Sequence, residues 1–244
     1  MQKICIVIPC YNEAERLPQD DYIYFYEQNE NIYFYFVNDG STDTTKAVLF
    51  SLQNQRERIK IIDLERNRGK ADAVRTGILE ALKWRTFDMI GYFDADLATP
   101  LEEVFLLANA MSEDPDYLVS FGSRIKRLGS TIERNPARHY FGRIFSTVAS
   151  IILKIPVYDT QCGAKLFRPG NIKEIFQAPF LSTWLFDIEI FARFITALGR
   201  DEALEKMIEV PLTQWIERGS SKVSWGYLFK IPFELLKIKK KYSL

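Results

Sequence analysis

The sequence predicts an α/β protein built as three layers around a mostly parallel sheet. Through the first half, apolar runs of strand length alternate with stretches whose apolar residues recur every three to four positions. That is the βαβ pattern of a parallel sheet covered on both faces. With 244 residues, 47% of them apolar, the chain can bury a core of that size. No cluster of Pro, Gly and Ser marks a linker, and no internal repeat interrupts the pattern, so one domain is expected.

In order, Ile4 to Ile8, Asn31 to Val37, Ile59 to Asp63 and Met89 to Phe93 read as strands. Between them, Thr44 to Gln55 and Ala71 to Trp84 read as helices, the second with Ala73, Val74, Gly77, Ile78, Ala81 and Leu82 on one face. Leu118 to Gly122 is a further strand, and Ala137 to Leu153 a helix carrying Phe141, Phe145, Val148 and Ile152. Phe186 to Leu198 is a helix, and Ala203 to Val210 joins a helix end to a strand. A tail over 220–244 combines Trp225, Tyr227, Phe229, Phe233, Leu235, Leu236 and Ile238 with Lys230, Lys237, Lys239, Lys240 and Lys241. Pro232 can open a helix at its first turn, with Phe233, Leu236 and Lys237 at helical spacing behind it.

Composition excludes several classes. The 32 basic and 32 acidic residues cancel, which leaves no global field to attract nucleic acid, and no such partner is expected. Cys5, Cys10 and Cys162 are odd in number and lack C-x-x-C spacing, which argues against a disulfide framework or a zinc site and for a reducing, cytoplasmic setting. The opening MQKICIVIPC reads as a first strand rather than a leader. The longest apolar helical segment, Phe145 to Ile155, is interrupted by Lys154 and falls short of the about 20 residues that span a bilayer. A soluble or peripheral protein is expected.

The chemistry centres on Asp88 to Pro100, DMIGYFDADLATP. A buried strand runs into Asp94 and Asp96, and Pro100 opens a helix. Residues two apart in an extended segment face the same side, so the two carboxylates converge just past the strand end. Ligands of open parallel sheets sit there. Mg²⁺ or Mn²⁺ takes carboxylate oxygens and keeps positions for water and phosphate. A solvated acidic turn satisfies the same pattern.

Two further stretches stand in register with this one: VIPCYNE ending at Glu13, and FVNDGSTD from Phe36 to Asp43. Together with DADLATP they resemble the family-2 glycosyltransferases of the GT-A fold, which is a single Rossmann-like three-layer domain. The motifs NRGKADAVRTG (Asn67 to Gly77), FGSR (Phe121 to Arg124), DTQCGAKLF (Asp159 to Phe167) and WLFDIE (Trp184 to Glu189) resemble the branch that glycosylates polyprenyl phosphates, dolichyl-phosphate glucosyltransferases among them. The likeness covers the chain to about Gly219. It implies a domain over 1–219, with a nucleotide-sugar half (1–125) and an acceptor half (126–219).

The resemblance implies inverting transfer of a hexose, glucose from UDP-glucose, to a polyprenyl phosphate. Pro9, Tyr11, Asn12 and Glu13 then surround the base and ribose, Asp39 bonds the base, and Asp94 and Asp96 hold Mg or Mn. Lys70 opens a helix, where free N–H groups and an ammonium suit phosphate. Arg124 and Arg143 carry guanidinium forks suited to acceptor or donor phosphates. Asp187 and Glu189, two apart on a helix, point in different directions and do not form an acid–base pair. Asp187 is the better base if the acceptor is a hydroxyl. A phosphate acceptor needs none, and Asp187 then positions substrate. Arg138 matches nothing clear, His139 reads as a helix-surface residue, and Cys162 as a packing residue.

Two positions depart from the pattern: Asp72 where the family shows glycine, and Ala98 where mannosyl relatives carry glutamine. The second leaves the third metal ligand open. A phosphatase of the haloacid dehalogenase type wants D-x-D-x-T or V on its first strand, whereas this motif ends at Ala98 on the fourth. GDP-mannose as donor, a glycan hydroxyl as acceptor, and a non-catalytic nucleotide-sugar binder remain as alternatives. The tail is expected to make a peripheral contact with an anionic membrane surface, on its cytoplasmic face.

Overall fold

The computed structural model describes residues 2–133, 136–218, 227 and 230–244. The side chains of Arg138, His139 and Phe141 lie outside the described residues, as do Trp225 and Phe229. The first half follows the predicted alternation: β1 (Ile4–Cys10), α1 (Gln19–Gln28), β2 (Ile32–Asn38), α2 (Thr45–Gln53), β3 (Ile59–Asp63), α3 (Lys70–Trp84), β4 (Met89–Phe93) and α4 (Glu103–Glu113). There follow β5 (Val119–Ser123), β6 (Thr131–Glu133), α5 (Pro136–Leu153), β7 (Ala164–Phe167), α6 (Pro169–Gln177), α7 (Phe186–Leu198) and α8 (Arg200–Glu205). β8 (Met207–Pro211), β9 (Gln214–Ile216) and a C-terminal helix, α9 (Ile231–Tyr242), complete the described elements.

Among the described residues the main sheet runs β3-β2-β1-β4-β7-β5-β8, and β6 pairs with β9 in a separate ribbon. β7 lies antiparallel to both β4 and β5, and the other main-sheet pairs are parallel. Side chains alternate across β1 as the pleat requires. Ile4, Ile6 and Ile8 pack with Tyr22, Phe25, Leu107 and Met111 from α1 and α4. Cys5 and Val7 face the other layer with Ala73, Val74, Ile78 and Phe191 from α3 and α7. Each large side chain so buried contributes roughly 1.5–3 kcal/mol.

Five described elements have no counterpart in the sequence expectations: the short strands β6 and β9, and α1, β7 and α6. α1 is rich in tyrosine and phenylalanine, which favour strands, yet Tyr22 and Phe25, three apart, pack edge-on or tilted against Phe34 and Phe36 of β2. β7 is four residues long and carries a charge, so its motif offers no strand signature. α6 begins at Pro169, which occupies the first turn of the helix.

α9 seats Leu235 and Ile238 in the core, packing against α7 and α5. Its opposite face leaves Phe233 67% and Leu236 60% exposed, with Lys237, Lys239, Lys240 and Lys241 also exposed. Among the described residues no helix is long and apolar enough to cross a membrane.

Candidate active site

The strand order reverses between β1 and β4, and a cleft of about 1070 Å³ opens beyond their carboxyl ends. The turn after β1 brings Pro9, Tyr11 and Glu13 to it, the end of β2 brings Asp39, the start of α3 brings Lys70, and the end of β4 brings Asp94 and Asp96. Arg124 and Asp187 reach it from the second half. Arg143 does not line the cleft: its guanidinium stacks 3.6 Å from the centre of the Tyr158 ring.

The wall at the end of β2 rests on Asp39, whose two oxygens each accept one backbone N–H, from Arg68 and Gly69, at 2.8 Å. This carboxylate shapes the loop ahead of α3 and still keeps a lone pair on each oxygen. Burial raises its pKa, opposed by the two N–H bonds. Gly40, at φ +60°, lets that loop pass, since a Cβ there would stand 2.2 Å from the Arg66 carbonyl carbon. Glu13 is buried and paired with Arg16 at 2.9 Å, and its own N–H donates to Thr45 Oγ1 at 2.8 Å.

Asp94 and Asp96 flank a tight turn in which Leu97 adopts φ 52°, a left-handed conformation that costs a branched residue energy. Asp94 Oδ1 meets Lys70 Nζ at 2.5 Å. Its N–H donates to the Gly163 carbonyl at 3.1 Å, and a Cβ on Gly163 would lie 2.0 Å from Asp94 Oδ2. The glycine of the DTQCG motif is therefore the space in which Asp94 sits. Asp96 Oδ1 accepts the Ala98 N–H at 3.0 Å. Burial, then the neighbouring Asp94 charge, raises the pKa of Asp96. Two carboxylates that repel each other in a shared cleft fit a hard cation. Among the described residues no group of three His, Cys, Asp or Glu side chains is placed to hold a metal.

Two buried ion pairs reach the cleft through Arg124 and Asp187. Arg124 donates to Asp159 through Nε at 2.6 Å and Nη2 at 2.8 Å. Burial alone would raise Asp159, but the Arg124 charge and hydrogen bonds prevail and bring its pKa down to about 2. Glu209 of β8 accepts the N–H groups of Tyr158 and Asp159 at 2.8 and 2.7 Å. Lys165, wholly buried, donates to Asp187 Oδ1 at 2.6 Å and to the carbonyls of Thr160 and Cys162 at 3.0 and 2.7 Å. The same Asp187 oxygen accepts the Tyr92 hydroxyl.

Asp187 and Glu189 take different roles. Asp187 reaches the cleft, whereas Glu189 is turned into the protein, accepting from Leu181, Arg193 and Tyr242. Sequence reasoning missed Lys165, Asp159 and Trp215, which lines the cleft with its ring 5.4 Å from the Arg124 guanidinium carbon. A lysine inside the apolar run AKLF was the available signal for the first. Gln161, quoted within its motif but assigned no role, lines the cleft with a buried amide nitrogen that has no partner among the described residues. A donor so placed is open to a ligand or a water.

This architecture, with its acidic pair at the switch point, is that of a GT-A glycosyltransferase. Glucosyl-3-phosphoglycerate synthase from Mycobacterium tuberculosis, solved with Mn²⁺ and UDP-glucose, superposes with a TM-score of 0.69 at 15% identity, over 97% of this chain and 79% of that one. Mannosyl-3-phosphoglycerate synthase from Rubrobacter xylanophilus gives 0.70 at 14%, over 98% and 73%. At that identity the likeness shows the fold alone.

The chain belongs to glycosyl transferase family 2, whose model matches residues 5–176. Similar proteins include the dolichyl-phosphate beta-glucosyltransferases of Saccharomyces cerevisiae, 31% identical over 99% of this chain and 75% of the relative, and of Drosophila melanogaster, 29% over 93% and 71%. The Homo sapiens enzyme of the same name is 26% identical over 99% and 76%.

Proposed function

We propose that this glycosyltransferase moves glucose from UDP-glucose to a polyprenyl phosphate with inversion at the anomeric carbon. One observation carries the reading. Asp94 and Asp96, the Lys70 ammonium and the Arg124 guanidinium meet in a single cleft, in a chain whose relatives are dolichyl-phosphate beta-glucosyltransferases.

In this reading Pro9, Tyr11, Glu13 and Asp39 receive the nucleoside, and Lys70 and Arg124 face phosphate. A divalent cation, Mg²⁺ or Mn²⁺, bound by Asp94 and Asp96 would offset the charge that builds on the departing diphosphate. The acceptor phosphate is anionic at neutral pH and attacks without a base. The pairing of Asp187 with Lys165 and Tyr92 supports a positioning role for that carboxylate, and the Gln161 amide is available to a sugar hydroxyl. Arg143, on α5 beside Tyr158, is assigned to the acceptor step from outside the cleft.

The exposed face of α9 supports a peripheral contact with an anionic membrane on its cytoplasmic side, where a lipid phosphate is met. Phe233 and Leu236 supply apolar area, and each lysine near anionic lipid adds about 1 kcal/mol.

The test is a donor panel of UDP-glucose and GDP-mannose, with product measured with and without added polyprenyl phosphate. Polyprenyl-dependent turnover with UDP-glucose is expected. Equal or faster turnover with GDP-mannose, or no dependence on the lipid phosphate, overturns the assignment.

A further inference from the structure

One wall of the cleft is held from behind by the C-terminal helix. Thr183 and Trp184 line the cleft, in the short segment between α6 and α7. Ser182, just before them, accepts the N–H of Leu185 at 2.7 Å and of Trp184 at 3.2 Å, while its hydroxyl donates to Glu234 of α9. The Tyr227 hydroxyl also stands 3.2 Å from Ser182 Oγ, so every donor and acceptor site of the serine hydroxyl has a neighbour. Glu234 also accepts the Tyr227 hydroxyl, and the Tyr227 ring stands 6.2 Å from that of Trp184.

A second tie runs in parallel. The Leu181 N–H donates to Glu189 Oε2 at 2.7 Å, and the Tyr242 hydroxyl of α9 donates to Glu189 Oε1 at 2.7 Å. On its cleft side the segment abuts the donor loop, since a Cβ on Gly69 would lie 3.1 Å from Thr183 Cγ2. Gly69 precedes Lys70, which pairs with Asp94. The segment thus lies between α9 and the loop that precedes Lys70.

We propose that Glu234 is a positioning residue for the transfer reaction: through Ser182 it holds Thr183 and Trp184 as the acceptor-side wall of the cleft. The helix that exposes Phe233 and Leu236 therefore sets the geometry that the lipid phosphate meets. The contact network stands on its own, while the acceptor named for it rests on the polyprenyl-phosphate reading.

The experiment compares full-length wild type, Glu234→Ala and Glu234→Gln by amide hydrogen exchange and steady-state kinetics. In Glu234→Ala, exchange across 181–185 rises about tenfold and the acceptor KM rises about tenfold, the size of one lost charge-assisted hydrogen bond, while UDP affinity holds. Glu234→Gln, whose amide oxygen still accepts from Ser182, restores both. Glu234→Asp, whose shorter side chain draws the carboxylate back from Ser182, gives a smaller rise in both and decides the matter if the alanine variant does not fold.

Unchanged exchange in Glu234→Ala overturns the link between helix and wall. Faster exchange with an unchanged acceptor KM overturns the catalytic part, and so does a parallel fall in donor and acceptor affinity that glutamine fails to rescue. If wild type transfers nothing to polyprenyl phosphate, the functional reading falls and the acceptor role with it, and the exchange comparison still decides the link.

Discussion

Lys70 at the start of α3 and Asp94 just past β4 meet at 2.5 Å, joining two elements that frame the cleft. Asp94, Asp187 and Asp96 outweigh the burial that would pull Lys70 down, and together they raise its pKa. The ammonium is charged throughout the physiological range, and the acidic cluster is partly balanced from within.

Among the described residues Asp96 has no such counter-charge at hydrogen-bond distance, and its carboxyl is raised by burial and by Asp94. Asp96→Ala is expected to lower kcat by at least about a hundredfold, the scale of losing a group that stabilises transition-state charge. Its melting temperature should not fall, because a repulsion is removed. Turnover that persists in excess chelator would remove the metal from the account.

Lys165→Met breaks a buried ion pair and leaves Asp187 uncompensated. Urea unfolding should show a loss of about 3–5 kcal/mol. A loss below about 1 kcal/mol would mean that water or a rearranged Thr160–Cys162 turn takes over the role of the ammonium.

Asp159 gives a pH signature with a defined sign. Its folded pKa, about 2, lies below the ordinary aspartate value of 3.8, so its contribution is complete above 3.8 and is lost as pH falls toward 2. The size is about 2 kcal/mol. Asp159→Asn should be less stable at neutral pH and lose less stability than wild type between pH 4 and 2. Parallel acid-unfolding curves for the two proteins would contradict this.

Phe233 and Leu236 are exposed on α9, so replacing both with glutamate should leave the fold intact. Co-sedimentation with anionic vesicles at low salt should drop severalfold, from lost apolar area and added negative charge. If wild type itself stays in solution, α9 serves only to cover the core and position the 181–185 wall.

The β1–β4 side of the cleft was legible because its residues sit at strand ends, where local pattern and location coincide. Asp39, Asp94 and Asp96 each follow an apolar run that could not be other than buried. The acceptor side was less legible because its partners are distant in sequence. Nothing near Arg124 announces Asp159, and nothing near Glu189 announces Tyr242. β7 was hidden for a related reason: Lys165 breaks its apolar pattern, and only the carboxylate of Asp187 on α7, with two turn carbonyls, makes a charge tolerable there. α1 was hidden because residues that favour strands can fill a helix face once β2 offers them aromatic partners.

The reversed strand β7 also bears on how the chain emerges from the ribosome. It joins two parallel blocks, β3-β2-β1-β4 and β5-β8, and pairs with the inner edge of each. Until Ala164–Phe167 has been synthesised, β4 has no neighbour on that side, and its apolar MIGYF run presents an open row of backbone donors and acceptors. The nascent β3-β2-β1-β4 block therefore carries a sticky edge through the making of α4, β5, β6 and α5. Truncations that end before Ala164 leave that edge exposed to self-association, whereas ones that end after Phe167 close it.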